Sequence, residues 1–455
     1  MSMKLDAVVE QTGTRFRLFA QARYLPSFAQ PETVYVSPTP EQIQPGPTDD
    51  RMFVVDALDK KPYGFPGGGS PQWPGPRRDP VKPGPDGHFD HIDVNSRAFS
   101  CATMYATVRR VLDIWQDYFG HRIEWFFHLD FARLELIPVI EWDNAQSGYG
   151  FLEFGFGRSP GGGIDHTSPY CQNFDVLAHE LGHNILFSQV GVPDTDQAAT
   201  DEYGGFQESG GDLTAIIACL HFNSVVDHIL ANSKGNLFTV NELDRLGELP
   251  DGREIRVAFN YERMSTVSTE PHDLSLPLTG AIFDIFVDVF QKELVARGLI
   301  TQDLANRSTH GAAPNSDLPV IQAEFNQAYA GHEAEFKTAL LTARDYLGHL
   351  LARTWGTLNP NFLSYYKIGL AVLNADQSLT GGAHQKNIRE CFAWREITLP
   401  NPTFMLRRLS DCGLAGGMLN RPGAHRDAAV PSYPLNRPAF VEGRGTPPAR
   451  RIVHG

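Results

Sequence analysis

The chain has few cysteines, five in 455 residues, and they stand far apart with no CxxC pair. A disulfide framework and a thiolate zinc cluster are therefore excluded, and the scatter fits a protein kept in a reducing compartment. Long apolar runs are missing as well. No window approaches the roughly 18 consecutive apolar residues of a membrane-spanning helix, and Asp6 and Glu10 interrupt the N-terminus where a signal peptide needs an unbroken apolar segment. The expectation is a cytoplasmic protein, or one released without the usual signal, with no membrane partner. Positive charge is short too: 39 Lys and Arg against 53 Asp and Glu leave a net charge of -14, which disfavours nucleic acid as a partner. The glycine runs at Gly67–Gly69 and Gly161–Gly163 lack the GK[ST] ending of a phosphate loop, so nucleotide binding is not indicated.

What is present is unevenly distributed. Twelve of the 32 prolines fall between Pro38 and Pro85, a density that forbids long helices and central strands and predicts an extended or wrapping arm over residues 1–95. Residues 411–455 read as a basic Pro/Arg-rich tail that buries too little to order itself. Between them, Ser96 to Gly120 carries Met104, Val108, Val111, Leu112, Trp115 and Phe119 at helical spacing, the pattern of an amphipathic helix. The aromatic and branched runs RIEWFFHL, RLELIPVIEW and GYGFLEFGFG, from Arg122 to Gly157, predict strands or hairpins. Beyond Phe174 the period is helical. The division is thus a β-rich lobe over 96–190 and a helical lobe over 191–410.

The segment NFDVLAHELGH, Asn173 to His183, contains HExxH. Residues four apart share a helix face, so His179 and His183 can hold one Zn²⁺ while Glu180, beside the first ligand, acts as general base on the attacking water. Asn173 or Asp175 can cap this helix. A catalytic zinc needs a third protein ligand, and FQESGGDLTAIIACLHF offers Glu208, with Asp212 one turn later as the carboxylate that orients His179. Gly210 and Gly211 weaken a helix by about 1 kcal/mol each relative to Ala, a cost consistent with two helices approaching closely around the metal. A metzincin is excluded because Leu186 and Gln189 stand at the positions that require Gly and His. Asp201, in the segment TDEYG, remains an alternative third ligand.

These residues resemble the gluzincins, and within them the thermolysin-like zinc metallopeptidases. FDVLAHELGH and QESGGD, Gln207 to Asp212, match the family's two ligand segments. Asn144-Ala145, followed by Phe154-Gly155-Phe156-Gly157, resembles the edge strand on which that family binds extended substrate, and this implies substrate-binding roles for Asn144 and Ala145. By the same resemblance His272, Arg263 and Tyr203 are candidates for stabilising the oxyanion, with His272 placed ahead of a helix starting at Thr279-Gly280 and His310 held as a fallback. Of the family's calcium-binding acids only Asp175 is matched, since Cys219 stands where a Glu is expected; the acidic loop Asp194, Asp196, Asp201 and Glu202 is a second cation candidate.

The resemblance implies an α+β, two-lobed metallopeptidase with the active-site cleft between its lobes, acting on internal bonds of peptide or protein substrates. A catalytically weak zinc-containing peptide-binding module is the rival from another class. An aminopeptidase of the same clan is a third reading, against which the absence of a GxMEN motif counts.

Overall fold

The computed structural model describes residues 4–23, 25–159, 161–238, 245–246, 256–258, 260–309 and 317–399. The basic tail and His310 lie outside them.

Residues 4–95 contribute to the body of the protein. Helix α1 (Lys4–Thr12) leads into an antiparallel pair, β1 (Thr14–Leu18) and β2 (Glu32–Val36), and β3 (Met52–Val54) follows. Phe16, Leu18, Val36 and Met52 are fully buried. The expected arm thus supplies core side chains: between its prolines stand apolar residues whose burial outweighs the irregular backbone. The prolines still act as predicted, since between Pro38 and Pro85 the chain holds one three-residue strand and a single 3-10 turn, Pro40–Gln42.

Helix α2 (Arg97–Phe119) begins at Ser96, whose hydroxyl accepts from the Phe99 amide, and stops at Gly120 in the left-handed region. Burial extends nearly all round it, because β1 and β2, α3 and α9 all pack against it. It is a central helix, where the spacing alone suggested an amphipathic one. The run RIEWFFHL forms no strand. Its backbone passes in turns while Trp125 and Phe127 stack at 5.6 Å, the Trp125 indole donates to the Arg51 carbonyl, and the Phe126 amide donates to Ser188 Oγ. The aromatics that suggested a strand serve as packing pegs.

Four strands make the main sheet, in the order β3-β4-β6-β5, with β4 (Leu134–Ile137), β5 (Ala145–Gly148) and β6 (Phe151–Phe154). β3, β4 and β6 run parallel and β5 returns antiparallel along the edge, with Ala145 opposite Phe154. Because β3 precedes residue 96, the sheet crosses that boundary. Glu135 and Glu153 are wholly buried on it, covered by the Pro-rich segment: Lys60 Nζ meets Glu153 at 2.5 Å, and the Tyr63 hydroxyl donates to Glu135 at 2.8 Å. Burial pushes the Lys60 ammonium down and the Glu153 carboxyl up, and each charge offsets the other's desolvation. A hairpin, β7 (Phe156–Arg158) and β8 (Ile164–Pro169), then leads to α3 (Phe174–Gln189).

The remainder is helical: α4 (Asp201–Cys219), α5 (Asn223–Ser233), a two-residue strand pair β9 (Arg245–Leu246) and β10 (Arg256–Val257), α6 (Pro271–Ala296), α7 (Gln302–Arg307), α8 (Leu318–Tyr329), α9 (Glu333–Trp355), α10 (Tyr365–Thr380) and α11 (Gln385–Trp394). The class is mixed α+β. Among the described residues no single helix is long and apolar enough to cross a membrane.

Helix α6 starts two turns earlier than Thr279-Gly280 suggested. Glu270 caps it, Pro271 takes its first turn, and Pro277 is accommodated inside. Below it lies Arg395, fully buried, which meets Asp284 at 2.8 Å and donates to the Asn260 and Glu262 carbonyls. Gly280 is required there, since a Cβ would come within 2.5 Å of the Arg395 guanidinium carbon.

Burial raises the Asp284 carboxyl from 3.8 to about 6, with Arg395 pulling the other way. A raised carboxylate contributes stability that is present below its unfolded value and is lost as pH rises through the folded one. In urea titrations between pH 4 and 7, the stability of the native protein relative to Asp284→Asn should therefore fall with rising pH by up to about 3 kcal/mol. A flat difference would mean that Asp284 does not carry this shift.

Candidate metal centre

Helix α3 is capped by Asn173, whose side-chain oxygen accepts from the Asp175 and Val176 amides. Asp175, the other candidate cap, turns inward: its Oδ1 accepts from the Cys219 thiol at 2.9 Å and from Gln21 Nε2 at 3.2 Å. Burial, reinforced by this carboxylate, holds the Cys219 thiol well above its ordinary value. The two positions that the resemblance ties to calcium thus meet as a thiol–carboxylate contact. In the acidic loop, Asp194 accepts from Asn361 and Glu202 from the Tyr365 amide, and Asp201 is exposed at the first turn of α4. Seven residues, about 10 Å of helix, separate Asp201 from Glu208.

Helix α4 begins at Asp201 under a Thr200 cap, so Glu208 sits two turns inside it. There it is buried, as are His179, His183, Glu180 and Asp212. Glu208 Oε2 lies 3.4 Å from His179 Nε2 and Oε1 lies 3.8 Å from His183 Nε2. Ligand atoms held 2.0–2.1 Å from a tetrahedral zinc stand about 3.4 Å apart, so the donor set fits. His179 Nδ1 donates to Asp212 Oδ1 at 2.9 Å, which turns its Nε2 toward Glu208. The Glu180 carboxylate also lies within 4.8 Å of a ligand atom on each of the two imidazoles.

The glycines make this approach possible. A Cβ on Gly182 would sit 2.8 Å from the Gly211 Cα, one on Gly211 would sit 2.7 Å from His179 Nδ1, and one on Gly210 would strike Leu186. The loop between the helices is clamped from outside by residues 361–363: Phe362 donates to the Ala198 carbonyl and Thr200 Oγ1 to the Leu363 carbonyl. No signal in the sequence pointed to that clamp.

The third helix brings His272. As the second residue of α6 it points Nε2 at Glu208 Oε2, 3.2 Å away, while Nδ1 donates to Glu270 Oε1 at 2.7 Å. Glu270 Oε2 also accepts the His272 and Asp273 amides, so the cap of the helix and the orientation of the imidazole are one interaction. Asp273 is engaged by Ser268. In the sequence Asp273 and Glu270 were the two acids placed to hold this imidazole, and in the structure Glu270 does so.

Two expected residues are placed elsewhere. The Tyr203 hydroxyl donates to the Gly191 carbonyl at 2.8 Å and accepts from Gln207, so its proton is committed to backbone; burial holds the phenol well above its usual value. The Arg263 guanidinium stacks over Trp394 of α11 at 4.5 Å. Asn144 precedes β5, where its Oδ1 accepts from the Ala145 amide, and β5 is an edge strand packed against α3.

No known family profile and no curated protein matches this sequence. Among solved structures the chain is similar to the precursor of protealysin, a metalloproteinase from Serratia proteamaculans, with a TM-score of 0.39 and 15% identity over 78% of this chain and 89% of that one. At that distance the side-chain geometry carries the reading of the site.

Gly211→Ala should force the His179 ring off its position against Asp212. Chelator competition should then show metal affinity reduced by about 10- to 100-fold with helix content retained. Wild-type affinity would mean that the close approach is not what positions the ligand.

Proposed function

We propose that the protein is a zinc-dependent peptidase that hydrolyses internal bonds of peptide or protein substrates in a cleft between a sheet-containing lobe and a helical one. The observation that carries this reading is the convergence of His179, His183 and Glu208 on one point, with a fourth group, the Glu180 carboxylate, buried beside them. A pure binding site has no need of that fourth group.

His179, His183 and Glu208 would hold the zinc ion, which would supply Lewis acidity and bring the pKa of the attacking water to around 7. The protein's own groups do the rest. Glu180 takes the proton of the attacking water and delivers it to the leaving nitrogen. As the imidazolium, with its Nδ1–H held by Glu270, His272 donates its second N–H, on Nε2, to the carbonyl oxygen as charge develops on it. Asp212 fixes the His179 ring. β5 stands at the edge of the sheet, and an extended substrate backbone would add to it beside Asn144 and Ala145.

Three variants test the roles. Glu208→Ala should lose the metal on elemental analysis. Glu180→Gln should keep metal and fold yet lower turnover by at least about 10²-fold, because an amide cannot accept the water proton. His272→Ala should lower kcat with little change in KM, and a kcat within about threefold of wild type would remove it from the mechanism. Mass-spectrometric mapping of cuts in a denatured protein mixture reads the activity; an absence of cuts by the zinc-loaded protein would favour the binding-module reading.

A further inference from the structure

At the edge of the main sheet opposite β5, a recess of about 320 Å³ opens beside β3. The segment around residues 77–81 forms one wall, held to the preceding chain by the Gly46 amide on the Val81 carbonyl and the Arg78 amide on the Asp56 carbonyl. Apolar walls come from Phe53, Val54 and Val81, and the charged residues of the lining are Arg77, Arg78 and Arg133 with Asp56 and Asp79.

Their charge is poorly matched by the acids nearby. Asp56 is taken by Arg97, which contacts its Oδ1 at 2.7 Å, while Arg78 lies 3.8 Å from Oδ2. Asp79, the other acid of the lining, is exposed. Among the described residues neither Arg77 nor Arg133 has a carboxylate within ion-pair distance. Arg133 is nevertheless held in place: its Nη1 donates to Thr48 Oγ1 at 3.0 Å and its guanidinium lies over the Phe53 ring at 4.9 Å. On a protein with net charge -14, a walled recess with a surplus of positive charge is a local exception.

We propose that this recess binds a small organic anion, its carboxylate or phosphate head held by Arg77, Arg78 and Arg133 and its apolar body set against Phe53, Val54 and Val81. The guanidinium fork matches the planar or tetrahedral oxygens of either head. A volume near the lower end of those that hold small ligands, with mostly apolar walls and a few convergent charges, matches a body of one ring. The ligand joins the 77–81 wall to the sheet, so its binding raises thermal stability by mass action.

Phenyl phosphate and phenylacetate are the probes, titrated calorimetrically into the full-length, zinc-loaded protein, with inorganic phosphate and benzyl alcohol as controls. One of the two anions should bind saturably at one site, and the tighter one names the head. Arg77→Gln, exposed and unable to disturb the core, should weaken it about tenfold, and Arg133→Gln at least as much. Binding undiminished in both variants would locate the anion elsewhere, including at the His179 centre, and would overturn the proposal. So would an absence of saturation up to about 10 mM, which corresponds to less than about 3 kcal/mol of binding. Equal binding of inorganic phosphate, or equal binding of benzyl alcohol, would overturn the part assigned to the apolar walls or to the arginines respectively.

Discussion

The site depends on one close contact, the packing of α3 on α4 at Gly182 and Gly211. Helix axes separated by ordinary side chains stand 8–10 Å apart. Here a Cβ on Gly182 would lie 2.8 Å from the Gly211 Cα, and the bare backbone of α4 leaves room for the His179 ring. The same approach brings Asp212 under His179 Nδ1 and Glu208 between the two imidazoles. Glycine weakens a helix, and α4 holds two successive pairs, Gly204-Gly205 and Gly210-Gly211, between secured ends: Thr200 caps the start, and Cys219 meets Asp175 near the other end.

The third side of the site is set by a different device. Helix α6 is fixed at its first turn by Glu270, which serves as its cap and holds the His272 ring, and further along by Arg395 against Asp284. A buried guanidinium is costly unless its donors are satisfied, and Arg395 finds a carboxylate and the carbonyls of the 260–262 segment. The chain leading into α6 is thereby anchored to the same group as its middle. The angle at which His272 reaches Glu208 is thus determined by interactions outside the site.

The Pro-rich segment has an analogous part in the other half. Lys60 and Tyr63 cover the two buried glutamates of the sheet, and β3 completes its edge. Burying two carboxylates on a sheet is unfavourable without an ammonium and hydroxyl above them, so these residues act as a lid that the sheet requires. Read as composition the segment suggested an arm; read as contacts it belongs to the core.

The elements legible in the sequence are those whose signals are local. HExxH, the Asn173 cap, the helix between Ser96 and Gly120 and the i,i+4 spacing of Glu208 and Asp212 all rest on residues within short segments, and periodicity and capping are properties of such segments. The glycine pair also announced a close approach. What the sequence could not contain was direction across the fold. Tyr203 and Arg263 have the residue types suited to an oxyanion, and tertiary packing turned one toward the Gly191 carbonyl and the other onto Trp394. RIEWFFHL has the composition of a strand, yet the partners of its backbone and rings, Ser188 and Arg51, come from distant segments. Local chemistry determined which residues could bind a metal, whereas only the long-range packing of α3, α4 and α6 decided which of them meet, because the free energy that orients a buried side chain comes from contacts far away in the chain.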